Sequence, residues 1–102
     1  MFLSNEPGYY EDGKFGIRIE DIVQIVNATD APNNFMGRGA LTFHTVTLCP
    51  IHTKLIKPDL LTEAERNQLN NYHKRVYDTL LPLLDANDFL TRDWLRKETQ
   101  PI

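Results

Sequence analysis

The sequence contains a single cysteine, Cys49, so no disulfide can form within the chain. Such usage is typical of proteins in a reducing compartment such as the cytosol. We interpret Cys49 as a small, buried, apolar residue on a strand. Every apolar run is far shorter than the roughly 20 residues that a membrane-spanning helix needs, and Met1 opens no secretory signal. These absences predict a cytoplasmic protein without a membrane partner.

Basic residues are neither abundant nor clustered. The chain has 11 Lys and Arg against 14 Asp and Glu, which gives a net charge of −3. A nucleic-acid-binding surface requires a basic patch or stripe, so nucleic acid is excluded as a partner. With 102 residues, the chain is long enough for one domain at most. Composition alone leaves the function open.

Residues 4–21, SNEPGYYEDGKFGIRIED, have the pattern of a β-hairpin. Pro7-Gly8 and the later Glu-Asp-Gly supply turn residues, and from Lys14 onward apolar and polar residues alternate as in a strand. If this hairpin folds back, Glu6 lies opposite Glu20, and Arg18 shares a face with Glu20.

Two facing carboxylates have a recognisable chemistry. Carboxylate oxygens bind hard and borderline divalent cations, and paired acids suit a site in which two metals share a water. A dinuclear centre needs about four to six protein donors, so these two acids are an incomplete site. The alternative is an exposed hairpin whose acids pair with Arg18 and Lys14. Spacing alone favours that simpler structure.

The segment EPGYYEDGKFGIRIED resembles the last metal-binding segment of the pita-bread metallopeptidases, specifically the Xaa-Pro aminopeptidases (aminopeptidase P). Two further blocks, LTFHTVTLCPIHTKLI and WLRKETQPI, resemble the C-terminal extension of the longer, eukaryote-type cytosolic members. A motif, a strand block and a terminus match in order, so the resemblance covers almost all of the chain.

The resemblance implies roles for four residues. Glu6 of E-P-G and Glu20 of I-R-I-E would each contact metal, as two of five ligands. The other three, two Asp and one His, lie upstream in the family, and this chain begins after them. Glu6 would also accept a proton from the nucleophilic water. Arg18 and Tyr10 would brace the metal-site carboxylates through hydrogen bonds.

The resemblance further implies the C-terminal portion of an enzyme that removes the N-terminal residue preceding proline. Its cofactors would be two divalent metal ions, usually manganese in this family. Its partners would be the upstream part of the same enzyme, a proline-containing peptide substrate and a second copy in a homodimer. Alone, the chain is expected to be inactive. The alternative is a non-catalytic module of the same fold, used for protein interaction or dimerisation, although such a module need keep neither acid.

The rest of the chain predicts more strand and then helix. Residues 22–26 extend the hairpin strand as a β-branched block that is long enough to be central in a sheet. Residues 27–40 form a loop rich in Asn, Asp, Pro and Gly, and residues 41–48 alternate as another strand.

A capping box, Thr62 with Glu65, begins an amphipathic helix that Pro82 should kink or end near its last turn. That helix carries His73 on its apolar face, in a core or an interface, and a shorter helix spans about 87–98.

The expected fold is therefore α+β, the C-terminal part of a pita-bread fold with antiparallel strands followed by two helices. Residues 1–57 would be strands of the metallopeptidase domain, and residues 58–102 a helical extension used for dimerisation. A few strands alone leave apolar surface and edges exposed, so we expect the sheet to belong to a larger one.

Overall fold

The computed structural model describes residues 1–30 and 35–102. The chain divides into two compact units, residues 1–47 and residues 48–102. The predicted class, antiparallel strands followed by two helices, is confirmed.

The first unit is built from strands. They are β1 (Phe2–Asn5), β2 (Gly8–Glu11), β3 (Phe15–Arg18), β4 (Asp21–Asn27) and β5 (Leu41–Thr45). All pairings are antiparallel, and they form a three-stranded sheet in the order β1-β4-β5 and a two-stranded sheet of β2 and β3. The central position predicted for residues 22–26 is confirmed, because β4 lies between β1 and β5. Val23, in the middle of β4, is 5% exposed. Among the described residues of this unit, it is the one apolar residue that is buried.

The strand expected to run without a break from Lys14 to Val26 is interrupted, so that prediction was wrong. β3 ends at Arg18 and β4 begins at Asp21, and the two strands belong to different sheets. Pro7 gives the physical reason. The N–H of Ile19 donates to the carbonyl of Pro7 at 3.2 Å, but proline has no N–H with which to return a ladder bond.

The turn predicted at Glu-Asp-Gly is confirmed. The N–H of Lys14 donates to the carbonyl of Glu11 at 3.0 Å, and Gly13 has a φ of 70°, which glycine adopts without strain. Within the loop predicted over 27–40, residues 31–34 lie outside the described residues. The N–H of Ala28 donates to the carbonyl of Ala40 at 2.8 Å and closes the base of this connection.

The second unit contains the helices α1 (Glu63–Leu80) and α2 (Phe89–Glu98). The predicted capping box is present: the Thr62 hydroxyl accepts from the Glu65 N–H at 3.2 Å, and the Glu65 carboxylate accepts from the Thr62 N–H at 2.8 Å. The backbone bond and then the side-chain bond lower the pKa of Glu65, so its contribution to stability is complete above about pH 4.5 and is lost as the pH falls through the lowered value. Pro82 ends α1 as predicted.

Neither helix in the described part of the chain is long and apolar enough to cross a membrane. The interpretation of Cys49 as a buried strand residue was wrong. Its side chain is exposed, and β5 has ended at Thr45 before it. Pro50 follows and offers no N–H to a strand ladder.

The core of the second unit is small. His73 and Val76 of α1 are fully buried, and Leu95 of α2 is 2% exposed. The prediction that His73 is a core residue is confirmed. Its Nε2 accepts a hydrogen bond from the N–H of Ile51 at 3.0 Å, so the proton of the neutral ring is on Nδ1, which has no partner among the described residues. α1 therefore holds the segment that precedes it through a buried imidazole.

We expect His73→Leu to lower the free energy of unfolding by about 1–3 kcal/mol, because the N–H of Ile51 would lose its acceptor. Urea unfolding of the chain measures this, and hydrogen exchange at the Ile51 amide should accelerate. The matched control is His52→Leu at an exposed position, with an expected change within about 0.5 kcal/mol. Equal effects of the two substitutions would contradict this role for His73.

Candidate active site

Glu6 and Glu20 face each other where the two sheets meet in the chain. β1 pairs with β4 so that Asn5 lies opposite Asp21, and β2 pairs with β3 so that Gly8 lies opposite Arg18. These two pairings have the same register, so Glu6 falls opposite Glu20 in the gap between them. The predicted juxtaposition of the two acids is therefore present.

One guanidinium contacts both acids. Nη1 of Arg18 lies 3.8 Å from Oε2 of Glu6 and 3.8 Å from Oε2 of Glu20, so the two carboxylate oxygens are at most twice that distance apart. Like charges placed directly opposite on paired strands repel each other, and the cation between them offsets this repulsion. All three side chains are about half exposed, and ion pairs at such exposure add little to folding stability. Their arrangement therefore matters more for the local charge than for holding the hairpin together.

Tyr10 fixes the position of Arg18. Nε of Arg18 donates to the Tyr10 hydroxyl at 2.8 Å, and the guanidinium carbon is 5.9 Å from the centroid of the Tyr10 ring. The hydrogen bond to Tyr10, followed by the nearby charges that include Glu6 and Glu20, raises the pKa of Arg18. The cation is thus permanently charged and tethered at its Nε end, while its Nη1 end contacts the acids.

The Tyr10 ring lies over two glycines of the hairpin. A Cβ built on Gly16, its cross-strand partner, would be 2.7 Å from Cδ1 of Tyr10. A Cβ built on Gly8 would be 2.8 Å from Cζ of the same ring. Neither position has room for a side chain while the ring is in this place. Sequence reasoning missed both glycines, although the presence of glycine opposite an aromatic residue on paired strands is a signal for such a contact.

The opposite face of the hairpin has contacts of a different kind. The Tyr9 hydroxyl donates to Glu11 at 2.9 Å, and Nζ of Lys14 lies 3.2 Å from Glu11. The simpler alternative from the sequence was that Glu6 and Glu20 pair with Arg18 and Lys14. Arg18 does contact both acids, but Lys14 contacts Glu11 instead. The contacts of Arg18 with Glu6 and Glu20 fit this alternative, and they fit equally a role in which Arg18 braces the metal-site carboxylates.

The donor set fits a divalent cation but does not complete a site. Glu6 and Glu20 are half exposed and together offer four carboxylate oxygens. Divalent cations prefer such oxygen ligands. Within residues 1–30 and 35–102, no group of three or more His, Cys, Asp or Glu side chains is arranged to hold a metal. Further ligands would have to come from outside the described part of the chain.

Comparison with known families gives one match that covers most of the chain. The family model described as the C-terminal region of peptidase M24 matches residues 39–102. The two candidate acids precede this matched region.

Individual proteins match over the whole chain, a range that includes positions 6 and 20. The chain is 59% identical over 103 residues to the Xaa-Pro aminopeptidase ApepP of Drosophila melanogaster, a match that covers 100% of the chain and 17% of that protein. It is 55% identical over 102 residues to a probable Xaa-Pro aminopeptidase P of Coprinopsis cinerea, covering 100% and 16%. The chain thus spans about a sixth of the length of these relatives.

A solved structure has the same fold over this region. The crystal structure of X-prolyl aminopeptidase from Caenorhabditis elegans, described as a cytosolic enzyme with a di-nuclear active site, superposes with a TM-score of 0.80 at 36% identity. The match covers 99% of this chain and 16% of that one. The resemblance identified from the sequence motifs is confirmed by these matches.

We expect Arg18→Ala to lower the urea midpoint of unfolding slightly, because Glu6 and Glu20 would then repel each other without a cation between them, at an exposure where ion pairs contribute little. Adding Glu20→Gln to this variant should restore part of the loss, since one of the two charges is removed. The control is Lys14→Ala, whose cost should not depend on Glu20, because Lys14 pairs with Glu11. Strictly additive effects of Arg18→Ala and Glu20→Gln would contradict the shared contact.

Proposed function

The chain belongs to the peptidase M24 family as its C-terminal region, and from this premise we propose that it is the C-terminal portion of a dinuclear-metal Xaa-Pro aminopeptidase. The reaction is removal of the N-terminal residue that precedes proline in a peptide. Homology to named Xaa-Pro aminopeptidases over the full length of the chain supports the reaction class.

The observation that carries the proposal is the pair of carboxylates opposite each other, with one guanidinium 3.8 Å from both. A non-catalytic module of the same fold would have no need to hold two like charges at neighbouring positions. Here the backbone register, Arg18 and Tyr10 all act on the same pair of acids.

Glu6 and Glu20 hold the metals in this proposal, each through its carboxylate. Two bound divalent ions would supply a water of lowered pKa and polarise the scissile carbonyl. Glu6 would take up a proton from the attacking water and pass it to the prolyl nitrogen that leaves, as a carboxylate close to the reacting groups can do. Arg18 orients the two carboxylates, and Tyr10 holds Arg18 in place.

The upstream part of the same enzyme is the proposed source of the remaining ligands and of the surface that covers the sheet. Large apolar side chains of the first unit are exposed in this chain, among them Phe2 at 62%, Leu41 at 69% and Phe43 at 63%. Exposed apolar surface of this kind marks an interface. Alone, the chain lacks that partner, and we propose that it is inactive.

The proposal includes a cytosolic location and manganese as the metal. The nematode relative is described as cytosolic and dinuclear, and the single exposed Cys49 fits a reducing environment. A donor set of carboxylate oxygens is compatible with manganese.

Glu20→Gln tests the proposal in a chimera in which this chain replaces the matching segment of the Drosophila relative. We expect manganese-dependent cleavage of a Xaa-Pro peptide to fall by more than the roughly 10–100-fold that the loss of an outer-shell partner costs, because a direct ligand is removed. The control is Glu11→Gln, an acid of the same hairpin that pairs with Lys14, which should retain the activity of the parent chimera. Full activity in Glu20→Gln would remove Glu20 from the site.

The second unit is the proposed site of homodimer contact. Leu90 and Trp94, one turn apart on α2, are 87% and 53% exposed, and Leu83 just before that helix is 78% exposed. Residues four apart lie on one face of a helix, so this surface is apolar and without a partner among the described residues.

We expect Leu90→Glu to shift the chimera from dimer to monomer in sedimentation velocity, because a charge would be placed at the centre of this apolar face. The control is Arg96→Glu, a charge change at an exposed position on a different face of the same helix, which should leave the dimer intact. A dimer that survives Leu90→Glu would place the contact elsewhere.

A further inference from the structure

Gly16 has no side chain at a point where one would collide with Tyr10. A Cβ at this position would lie 2.7 Å from Cδ1 and 3.2 Å from Cε1 of the Tyr10 ring. Carbon atoms in comfortable contact are about 3.5–4.0 Å apart. The ring would therefore have to move, and because an aromatic ring is rigid, it would move as a whole.

The backbone gives no reason for a glycine at position 16. The residues with positive φ in the described part of the chain are Met36 and the glycines at 13, 37 and 39, so Gly16 has a conformation open to any residue. Glycine inside a strand weakens it relative to alanine. On backbone grounds alone, Gly16→Ala should therefore strengthen the hairpin, so the reason for glycine is the space above it.

Tyr10 uses this space to hold Arg18. The ring spans the two strands, with its Cδ1 edge over Gly16 and its Cζ end over Gly8. In this position the hydroxyl accepts a hydrogen bond from Nε of Arg18 at 2.8 Å, and Nη1 of Arg18 contacts both acids. A displacement of the ring would be passed to the guanidinium and then to the carboxylates.

We propose that Gly16 is a positioning residue of the active site, which acts by leaving room for the Tyr10 ring and through it fixes Arg18, Glu6 and Glu20. This inference rests on the proposed function, because it concerns the same site. It assigns a role to a residue that bears no functional group and that touches neither acid directly.

The test uses the same chimera with four variants: Gly16→Ala, Tyr10→Ala, the double variant Gly16→Ala/Tyr10→Ala, and Ile17→Ala. Two quantities are measured, the affinity for Mn²⁺ by calorimetry of the metal-free protein and kcat/KM on a Xaa-Pro peptide. Ile17 pairs with Tyr9 on the other face of the hairpin, so Ile17→Ala is the control for general loosening of the strands and should stay close to the parent in both quantities.

We expect Gly16→Ala to lower both quantities by about 10–100-fold, as the loss of an outer-shell partner does, although alanine is the better strand residue. Tyr10→Ala should lower them similarly. In the double variant the added methyl group has no ring to displace, so its values should equal those of Tyr10→Ala alone. A residue with only a structural role would instead give losses that add.

Gly16→Ala values equal to those of the parent, or additive losses in the double variant, would overturn the inference. If Gly16→Ala alone does not fold, the double variant carries the test, and it must fold and match Tyr10→Ala; a double variant that also fails to fold overturns the inference. Glu20→Gln keeps the two proposals separate. An active Glu20→Gln chimera defeats the proposed function, whereas an inactive one beside an unaffected Gly16→Ala defeats only the role of Gly16.

Discussion

The contact of one guanidinium with two opposed carboxylates is the interaction on which the candidate site depends. Antiparallel pairing brings Glu6 and Glu20 to opposite positions, and opposite positions are unfavourable for like charges. Arg18 removes this conflict with a group that stays protonated at any physiological pH and whose planar shape allows it to contact a phenol and two acids at once. Lysine has its three N–H groups on a single nitrogen and lacks the separate Nε and Nη1 positions that contact the phenol and the two acids here.

The sequence predicted those features whose causes are local. The capping box at Thr62, the end of α1 at Pro82 and the turn at Gly13 each depend on a few adjacent residues. The facing of Glu6 and Glu20 was also predictable, because a hairpin fixes the partner of each residue once its turn is known. These are short-range consequences of chain chemistry.

The features that the sequence did not predict depend on residues far apart in the chain or on the absence of an atom. The division of the long strand at Ile19 comes from the missing N–H of Pro7 on the other arm. Cys49 is exposed because β5 ends before it. The position of the Tyr10 ring depends on Gly8 and Gly16, which are eight residues apart in sequence. The roles proposed for Glu6, Glu20, Arg18 and Tyr10 came from resemblance to a family, since spacing alone favoured a solvent-exposed hairpin.

The hydrogen bond that Pro7 cannot donate has a consequence for the backbone beside the two acids. A ladder of hydrogen bonds resists bending because each bend lengthens bonds on one side, and at this rung only the bond from Ile19 is present to resist. One hydrogen bond between the arms is therefore missing directly beside the two acids, one of which lies on each arm. Their spacing therefore depends on backbone curvature as well as on Arg18, so a change that stiffens or flattens either sheet would alter the gap between the carboxylates without touching them.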